Sequence, residues 1–385
     1  MSQTQTLVVL LATMTMSVSM LGTLYCLTQD RNKLIFRVLA LVLFVSALIE
    51  MGVVLTSFHM PATVKLVIDS TWVVGASCVS PLFWLYVWVL TAEDQKLPKN
   101  LPWHFVVPAA YAGAVLVTHI FSVDSISFAQ NLFDDRDLRT HQFNGLVFLP
   151  IPLQWACYLI ATSHRLMRYR LRLKDYFAST VQKEMQWISF VIAFYALYWL
   201  SQAAPILFGL PKAQDGALLL IAYILNIILV TTIVLWGLRQ RPEIFDGSQP
   251  EKLVARYAKS ALDPVTTQKI AVKLRAAMTT EKLYLNANLS LWTLARHVRM
   301  SDNYVSQVLN EQIGENFFDF VNGYRIEAAK LRLQQGNENI LTITYEVGFN
   351  SRSSFYTAFR KVTGTTPTAF RKLASFESDQ AGTDD

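Results

Sequence analysis

Two segments in the last quarter of the chain place polar side chains at the spacing of one helix face. Each predicts a helix whose other face is apolar. The polar face of residues 302–311 carries amides and a hydroxyl: Asn303, Ser306, Gln307 and Asn310. The polar face of residues 352–361 carries hydroxyls and guanidinium groups: Arg352, Ser353, Ser354, Tyr356, Thr357 and Arg360. Such groups can hydrogen-bond to base edges in the major groove of DNA.

A short amphipathic helix and a turn precede each of these segments, which is the anatomy of a helix-turn-helix motif. The first motif spans residues 291–311 with a turn at 299–301, and the second spans residues 340–361 with a turn at 348–350. Residues 315–335 between them predict one continuous helix about 30 Å long. This length is close to the roughly 34 Å of one DNA turn, so the two motifs could enter successive major grooves.

The C-terminal segment is also basic, because Lys and Arg outnumber Asp and Glu between positions 250 and 375. Arg360 and Lys361, near the second polar face, are the residues that we expect to contact DNA phosphates. Arg325 and Arg371 are assigned at least as readily to internal salt bridges or helix caps. A solvated basic surface, which many soluble domains have, is the alternative explanation of the excess charge.

At these residues the sequence resembles the AraC/XylS family of bacterial transcription regulators. Residues 289–333 resemble the first motif and linking helix of that family. The second motif and the closing segment carry these matching residues: Gly348, Phe349, Ser353, Phe355, Phe359, Gly364, Pro367 and Arg371. The resemblance implies two three-helix subdomains joined by a helix, and promoter binding that activates or represses genes. By position it assigns base contacts to Asn303, Ser306, Gln307, Arg352, Ser353 and Thr357.

Two departures from the family pattern bear on DNA sequence preference. Thr344 stands where the family usually has alanine, and Leu309-Asn310 replaces the commoner Phe-Lys, which removes one expected phosphate contact. The fold that the resemblance implies is little affected by these changes. The DNA sequence that is bound does not follow from it.

The N-terminal part of the chain is far more apolar. The whole sequence is 52% hydrophobic and 16% charged with a mean hydropathy of +0.30, whereas ordinary globular domains carry about 25% charged residues. Seven apolar runs are long enough to cross about 30 Å of hydrocarbon. They are residues 6–28, 34–58, 66–90, 103–121, 145–167, 186–210 and 217–238. We expect an all-α protein, with a seven-helix transmembrane bundle and a cytoplasmic AraC-type domain.

The distribution of Lys and Arg predicts the orientation of the bundle. Basic residues concentrate in alternate loops, above all in residues 165–183, and the longest intervening loop, around 124–137, is acidic. Basic loops are retained on the cytoplasmic side of a membrane. We therefore expect a multi-pass protein of the bacterial cytoplasmic membrane, with its N-terminus outside and its C-terminal domain in the cytoplasm.

Several polar side chains fall in the outer halves of the apolar runs, where charge is costly and is a functional hypothesis by default. They predict a sensory pocket that opens outward: Glu50, Asp69, His119, Gln154 and Gln202. Glu50 and Asp69 lie on consecutive helices and could approach each other. In the alternative interpretation, Asp69 and His119 are hydrated at the membrane interface. A signal from the pocket would travel through the seventh helix.

These features predict domains at 1–240 (transmembrane sensor), 241–280 (linker and connecting helix), 281–375 (double helix-turn-helix) and 376–385 (acidic disordered tail). The leading hypothesis is a one-component sensor and regulator. A membrane tether or docking platform without a ligand, and a transporter that carries a regulator, stay open as alternatives.

The expected partners are promoter DNA, the lipid bilayer, a small-molecule or membrane-protein signal, a second copy of the chain and RNA polymerase. Enzyme motifs for phosphate loops, zinc helices and nucleophile elbows are missing from the sequence, so an enzyme is not expected. Neither a cofactor nor a metal is expected. The three cysteines, at positions 26, 78 and 157, each lie in an apolar run.

Overall fold

The computed structural model divides the chain into two compact units. It describes residues 3–30, 32–58, 60–92, 96–121, 149–179, 185–208, 217–239, 263–335 and 338–381. These residues are helical apart from turns and connections, and no strand is formed among them, so the all-α prediction is confirmed. The N-terminal unit comprises Met1–Leu166 and Gln186–Phe245, and the C-terminal unit comprises Met167–Met185 and Asp246–Asp385.

Each predicted apolar run lies on a helix of the described chain. The helices are α1 Gln3–Leu27, α2 Lys33–Thr56, α3 Ala62–Thr91, α4 Val106–Phe121, α5 Pro150–Tyr176, α6 Gln186–Phe208 and α7 Ala217–Arg239. Among the described residues, four helical stretches are long and apolar enough to cross a membrane: Gln3–Leu27, Lys33–Thr56, Val67–Thr91 and Leu219–Arg239. Seven membrane crossings stay a prediction.

Helix α5 differs most from its predicted run. It continues to Tyr176, well past the predicted end at 167. The Arg, Leu and Lys residues that follow favour helix, although the segment that they form carries too many charges for a membrane span. Residues 145–148 of the run lie outside the described residues. From Met167 onward α5 belongs to the C-terminal unit.

Small residues let helices of the N-terminal unit approach one another closely. A Cβ atom added at Gly22 in α1 would lie 2.9 Å from Leu43 of α2 and 3.0 Å from Val234 of α7. Close approach at glycine is typical of helix packing in membranes. Large apolar side chains are meanwhile exposed, which suits a hydrocarbon surrounding: Leu10, Met14, Leu21, Leu24, Leu41, Leu153 and Ile160.

The C-terminal unit contains two helix-turn-helix motifs. Its helices are α8 Pro264–Thr279, α9 Leu291–His297, α10 Asp302–Gln307, α11 Phe317–Gln335, α12 Ile340–Glu346, α13 Arg352–Thr363 and α14 Pro367–Ala381. The first motif is α9 and α10, the second is α12 and α13, and α11 joins them. This order agrees with the sequence prediction.

The first subdomain has a core built from α8 to α11. Helix α8, which begins within the residues assigned to the linker, contributes Ile270, Leu274 and Met278 to this core. Asp263 caps the start of α8, because its carboxylate accepts a hydrogen bond from the Thr266 backbone N–H at 2.8 Å. The apolar face of α8 therefore makes it part of the subdomain.

The second subdomain has a smaller core between the end of α11, α12 and α13. It includes Ile326, Leu333, Phe349, Phe355 and Phe359. The linking helix thus serves both cores along its length. Along α11, Leu331 is 59% exposed, whereas Asn322 and Arg325 are buried.

Candidate nucleic-acid interface

Helix α10 presents the first candidate recognition face. Arg299 takes a left-handed conformation (φ 56°) in the turn, and the Ser301 hydroxyl caps α10 by accepting from the Tyr304 backbone N–H. Val305, Val308 and Leu309 are buried on the side opposite the polar residues, which agrees with the apolar face that the sequence predicts. The helix differs from its predicted extent, because after Gln307 the chain forms a π-helical turn, Val308–Ile313, which Gly314 ends at φ 80°.

The three base-contact candidates of this first face differ in exposure. Asn303 is exposed, whereas Ser306 and Gln307 are half-buried. The Gln307 amide donates to Glu311 Oε2 at 2.9 Å, and the Asn310 amide donates to the Ser306 carbonyl at 3.0 Å. Intramolecular bonds therefore occupy much of this polar face, and a base would have to displace Glu311 from Gln307.

Helix α13 presents the second, more open face. The Ser351 hydroxyl caps its start by accepting from the Ser354 backbone N–H, and Gly364 ends it at φ 75°. Arg352, Ser353 and Thr357 are exposed on it. The Arg352 guanidinium donates to the Tyr356 hydroxyl at 3.2 Å and lies 5.0 Å from the Tyr356 ring centre. This contact orients a planar donor group that can bind guanine through two hydrogen bonds.

The two candidate phosphate contacts have different surroundings. Arg360 is exposed. The Lys361 ammonium forms an ion pair with Asp319 of α11 at 2.6 Å, although its side chain is 62% exposed. A phosphate at Lys361 would therefore compete with a carboxylate. Arg371 donates to the Glu338 carbonyl at 2.6 Å, a bond to the backbone between α11 and α12 rather than the salt bridge or helix cap that the sequence suggested.

Arg325 of α11 is the most completely buried charged side chain among the described residues, with no exposed surface. Its Nε donates to the Tyr284 carbonyl at 2.7 Å and its Nη2 to the Asn286 carbonyl at 2.8 Å. Burial lowers its pKa to about 10, so it stays protonated at neutral pH. The sequence signal was an arginine on the apolar face of a predicted helix.

Glu50 in the N-terminal unit is buried, with 4% exposure. Its Oε1 accepts a hydrogen bond from the Asn226 amide of α7 at 2.6 Å. Its Oε2 has no hydrogen-bond partner among the described atoms. Asn226 was missed, although it is a lone amide in an apolar run.

The structure describes two of the other four side chains of the predicted pocket, those of Asp69 and Gln154. Asp69 is half-buried. Gln154 of α5 donates to the Ser77 carbonyl of α3 at 3.1 Å, which joins two helices. The side chains of His119 and Gln202 lie outside the described part of the structure.

In a comparison with known protein families, residues 294–373 match a family described as a helix-turn-helix domain. An uncharacterized HTH-type transcriptional regulator of Staphylococcus aureus strain COL is 37% identical over 90 residues, which are 23% of this chain and 12% of that protein. The arabinose operon regulatory protein of Escherichia coli strain K12 is 31% identical over 86 residues, 22% of this chain and 30% of that protein. The similarity thus spans a minor part of each relative.

Solved structures are similar to part of this chain. A protein of unknown function from Listeria innocua is 31% identical, covering 27% of this chain and 96% of that chain, with a TM-score of 0.25. The C-terminal domain of AraT, a response regulator from Geobacillus stearothermophilus, is 24% identical, covering 30% of this chain and 88% of that chain, with a TM-score of 0.25.

Proposed function

We propose that this protein, whose C-terminal unit contains an AraC-type helix-turn-helix domain, is a sequence-specific DNA-binding transcription regulator. The observation that carries the proposal is the pair of capped helices, α10 and α13, each of which buries its apolar side and exposes polar side chains. The similarity to helix-turn-helix regulators over residues 294–373 supports it.

The linking helix suits a protein that contacts two successive major grooves. Helix α11 has 19 residues and is therefore about 28 Å long, close to the roughly 34 Å of one DNA turn. In this proposal Asn303, Ser306 and Gln307 contact one set of bases, and Arg352, Ser353 and Thr357 contact the next. Arg360 and Lys361 bind phosphates and so position α13.

We further propose that the N-terminal unit is embedded in the bacterial cytoplasmic membrane, with the C-terminal unit in the cytoplasm. The four long apolar helices and the exposed large apolar side chains support embedding, and the basic residues of the segment 165–183, most of them at the C-terminal end of α5, support the orientation. A periplasmic reporter fused after Asp135 should be active, and one fused after Lys174 should be silent. The reverse pattern would contradict this orientation.

A sensory role for the N-terminal unit rests on Glu50. A buried carboxylate that accepts from an amide at Oε1, and whose Oε2 has no hydrogen-bond partner among the described residues, suits a proton or a cationic group. Glu50→Gln should leave membrane insertion unchanged and fix promoter output at one level. Promoter output in Glu50→Gln is compared with that in Asp69→Asn, which changes a half-buried carboxylate instead of a buried one. Normal inducible expression in both variants would favour a tether without a ligand.

The regulator function is tested by mapping the DNA that the tagged full-length protein binds across its genome, followed by footprinting of the recovered sites. We expect two protected half-sites about one helical turn apart, and altered transcription by RNA polymerase from the adjacent promoters when the gene is deleted. The number of chains per site measures whether a homodimer binds. Recovery of no enriched sites would contradict the proposal.

A further inference from the structure

The C-terminal end of α5 and the residues after it contact the first subdomain within the C-terminal unit. Phe177 pairs with Ser290 in an isolated antiparallel bridge, and the Ala178 backbone N–H donates to the Leu289 carbonyl at 3.2 Å. Ala178 is 2% exposed and lies in the core of the first subdomain. We call residues 174–178 the strap.

Aromatic side chains hold the strap against the start of α9. The Tyr176 ring stacks on Trp292 with a centroid distance of 5.5 Å, and the Phe177 ring meets Trp292 edge-on at 5.3 Å. The Lys174 ammonium lies 5.8 Å from the ring centre of Phe318 in α11. The strap therefore contacts both the first motif and the linking helix.

The strap also contacts the residue that connects the two motifs. The Ala178 carbonyl accepts from the Asn322 amide at 3.2 Å and from Arg325 Nη1 at 3.2 Å. The same guanidinium binds the Tyr284 and Asn286 carbonyls before the first motif and lies 5.4 Å from the ring centre of Phe349 in the turn of the second motif.

The second motif is tightly fitted at this junction. Gly348 has φ 97°, and a Cβ atom there would lie 2.4 Å from the Tyr284 carbonyl oxygen and 3.0 Å from Arg325 Nε. The Asn350 amide donates to the Ala287 carbonyl at 3.2 Å. Arg325 thus contacts the strap and elements of both motifs.

We propose that the surface formed by residues 289–292 and 322–325 is a docking site for the strap, and that the docked strap holds the two recognition helices at the spacing that DNA requires. When the strap leaves, Arg325 and Asn322 lose a buried acceptor, and unsatisfied buried donors are costly. The junction then rearranges, because its remaining contacts no longer satisfy every donor.

The position of the strap in the chain makes it a coupling element. On its N-terminal side it is continuous with α5, whose first part belongs to the N-terminal unit, and the chain returns to that unit at Gln186. A shift or rotation of α5 would therefore be transmitted to the strap. The route through the seventh helix that the sequence suggested involves residues 240–262, which lie outside the described residues.

The docked state can be trapped by a disulfide between residues 177 and 290. The hydrogen bond from Ala178 to Leu289 makes this a non-hydrogen-bonded antiparallel pair, with Cα atoms about 4.5 Å apart, within the range of disulfides. The variant is Phe177→Cys with Ser290→Cys, in a chain whose three cysteines are replaced by alanine. The oxidised and reduced forms are the same polypeptide, so a difference in DNA binding between them is not caused by a difference in sequence.

The released state is produced by Phe177→Ala, with Leu171→Ala as the matched control, because Leu171 lies on α5 shortly before the strap and is 55% exposed. Full-length proteins in nanodiscs are titrated with DNA carrying both half-sites and with DNA carrying one. Phe177→Ala should weaken binding to the two-site DNA at least about tenfold, since simultaneous engagement is lost, and leave one-site binding unchanged. The oxidised disulfide variant and Leu171→Ala should match the unsubstituted protein.

The proposal rests on DNA binding by the two motifs, and the two failures are distinguishable. If the unsubstituted protein binds neither DNA, the proposed function fails. Two results would contradict the strap proposal if the unsubstituted protein binds both DNAs. Either Phe177→Ala keeps the full affinity for two-site DNA, or the oxidised disulfide variant loses that affinity while its reduced form keeps it. In either case the strap does not hold the recognition helices in their DNA-binding arrangement. A loss of one-site binding in Phe177→Ala would assign the strap a merely structural role.

Discussion

The two helix-turn-helix motifs follow the same plan but hold their recognition helices differently. The first lies in a larger core that includes α8 and the strap, and its polar side chains Gln307 and Asn310 are engaged within the helix. The second has a smaller core rich in phenylalanine and exposes Arg352 and Arg360. We infer that the first motif provides a fixed attachment and the second supplies most of the charge and sequence preference.

Of the substitutions considered, truncation of a core aromatic side chain in the second motif should have the largest effect, which is a loss of stability in that motif. Phe355 is fully buried and meets Phe349 and Phe359 at centroid distances of 5.4 and 5.6 Å. Phe355→Ala should cost about 3–5 kcal/mol, and hydrogen exchange should show α12 and α13 opening while α9 and α10 stay protected. Val305→Ala, in the first core, is the comparison. Equal loss of protection in both motifs would mean that the two cores unfold as one.

Arg352 should contribute more to DNA sequence preference than any other side chain of the second face. Arg352→Ala should cost about 1–3 kcal/mol on the preferred sequence and relax preference at one base pair. Binding is measured on the recovered operator and on random DNA, with Arg360→Ala as the matched arginine control. A uniform loss on both DNAs for Arg352→Ala would reassign this residue to a phosphate.

Lys361 should have a smaller, non-selective effect, because a phosphate that binds it would have to replace Asp319 as its ion-pair partner. Lys361→Ala should weaken operator and random DNA alike and reduce the slope of log affinity against log salt by about one. Asp319→Asn should act in the opposite direction, since it frees the ammonium. Unchanged salt slopes in both variants would leave Lys361 outside the interface.

The smallest effect is expected at the first motif. Glu311→Ala frees the Gln307 amide and removes a negative charge near DNA, so it should tighten binding by about 0.5 kcal/mol. Glu315→Ala, an exposed acidic residue beyond the same turn, is the control for charge alone. An equal gain in both variants would show that release of Gln307 contributes nothing.

Much of the fold followed from local patterns in the sequence. Apolar periodicity predicted the helices around both turns, and Ser301 and Ser351 stand where caps were needed. The end of α10 was not predictable in the same way. After Gln307 the chain changes to a π-helical turn in which Val308 and Leu309 are still buried, so the apolar periodicity does not mark where the α-helix ends.

The sequence predicted which residues belong to the candidate sites, but it did not predict the groups to which their side chains bind. The sequence singled out Glu50, Lys361, Arg325 and Gln154 as polar groups that needed an explanation. Their partners are Asn226, Asp319, backbone carbonyls before the first motif, and Ser77. A side chain's own neighbours in sequence say little about a contact made at long range, so these pairings had to come from the fold.

The sequence by itself determined which segments are helical, where the two motifs lie and which segments are too apolar for water, because hydrophobic periodicity, capping and composition act over a few turns of chain. Only the tertiary structure decided that Glu50 meets Asn226, 176 positions away, and that Ala178 meets Arg325, 147 positions away. Such contacts depend on which faces of distant helices are buried together, and burial is a property of the whole fold.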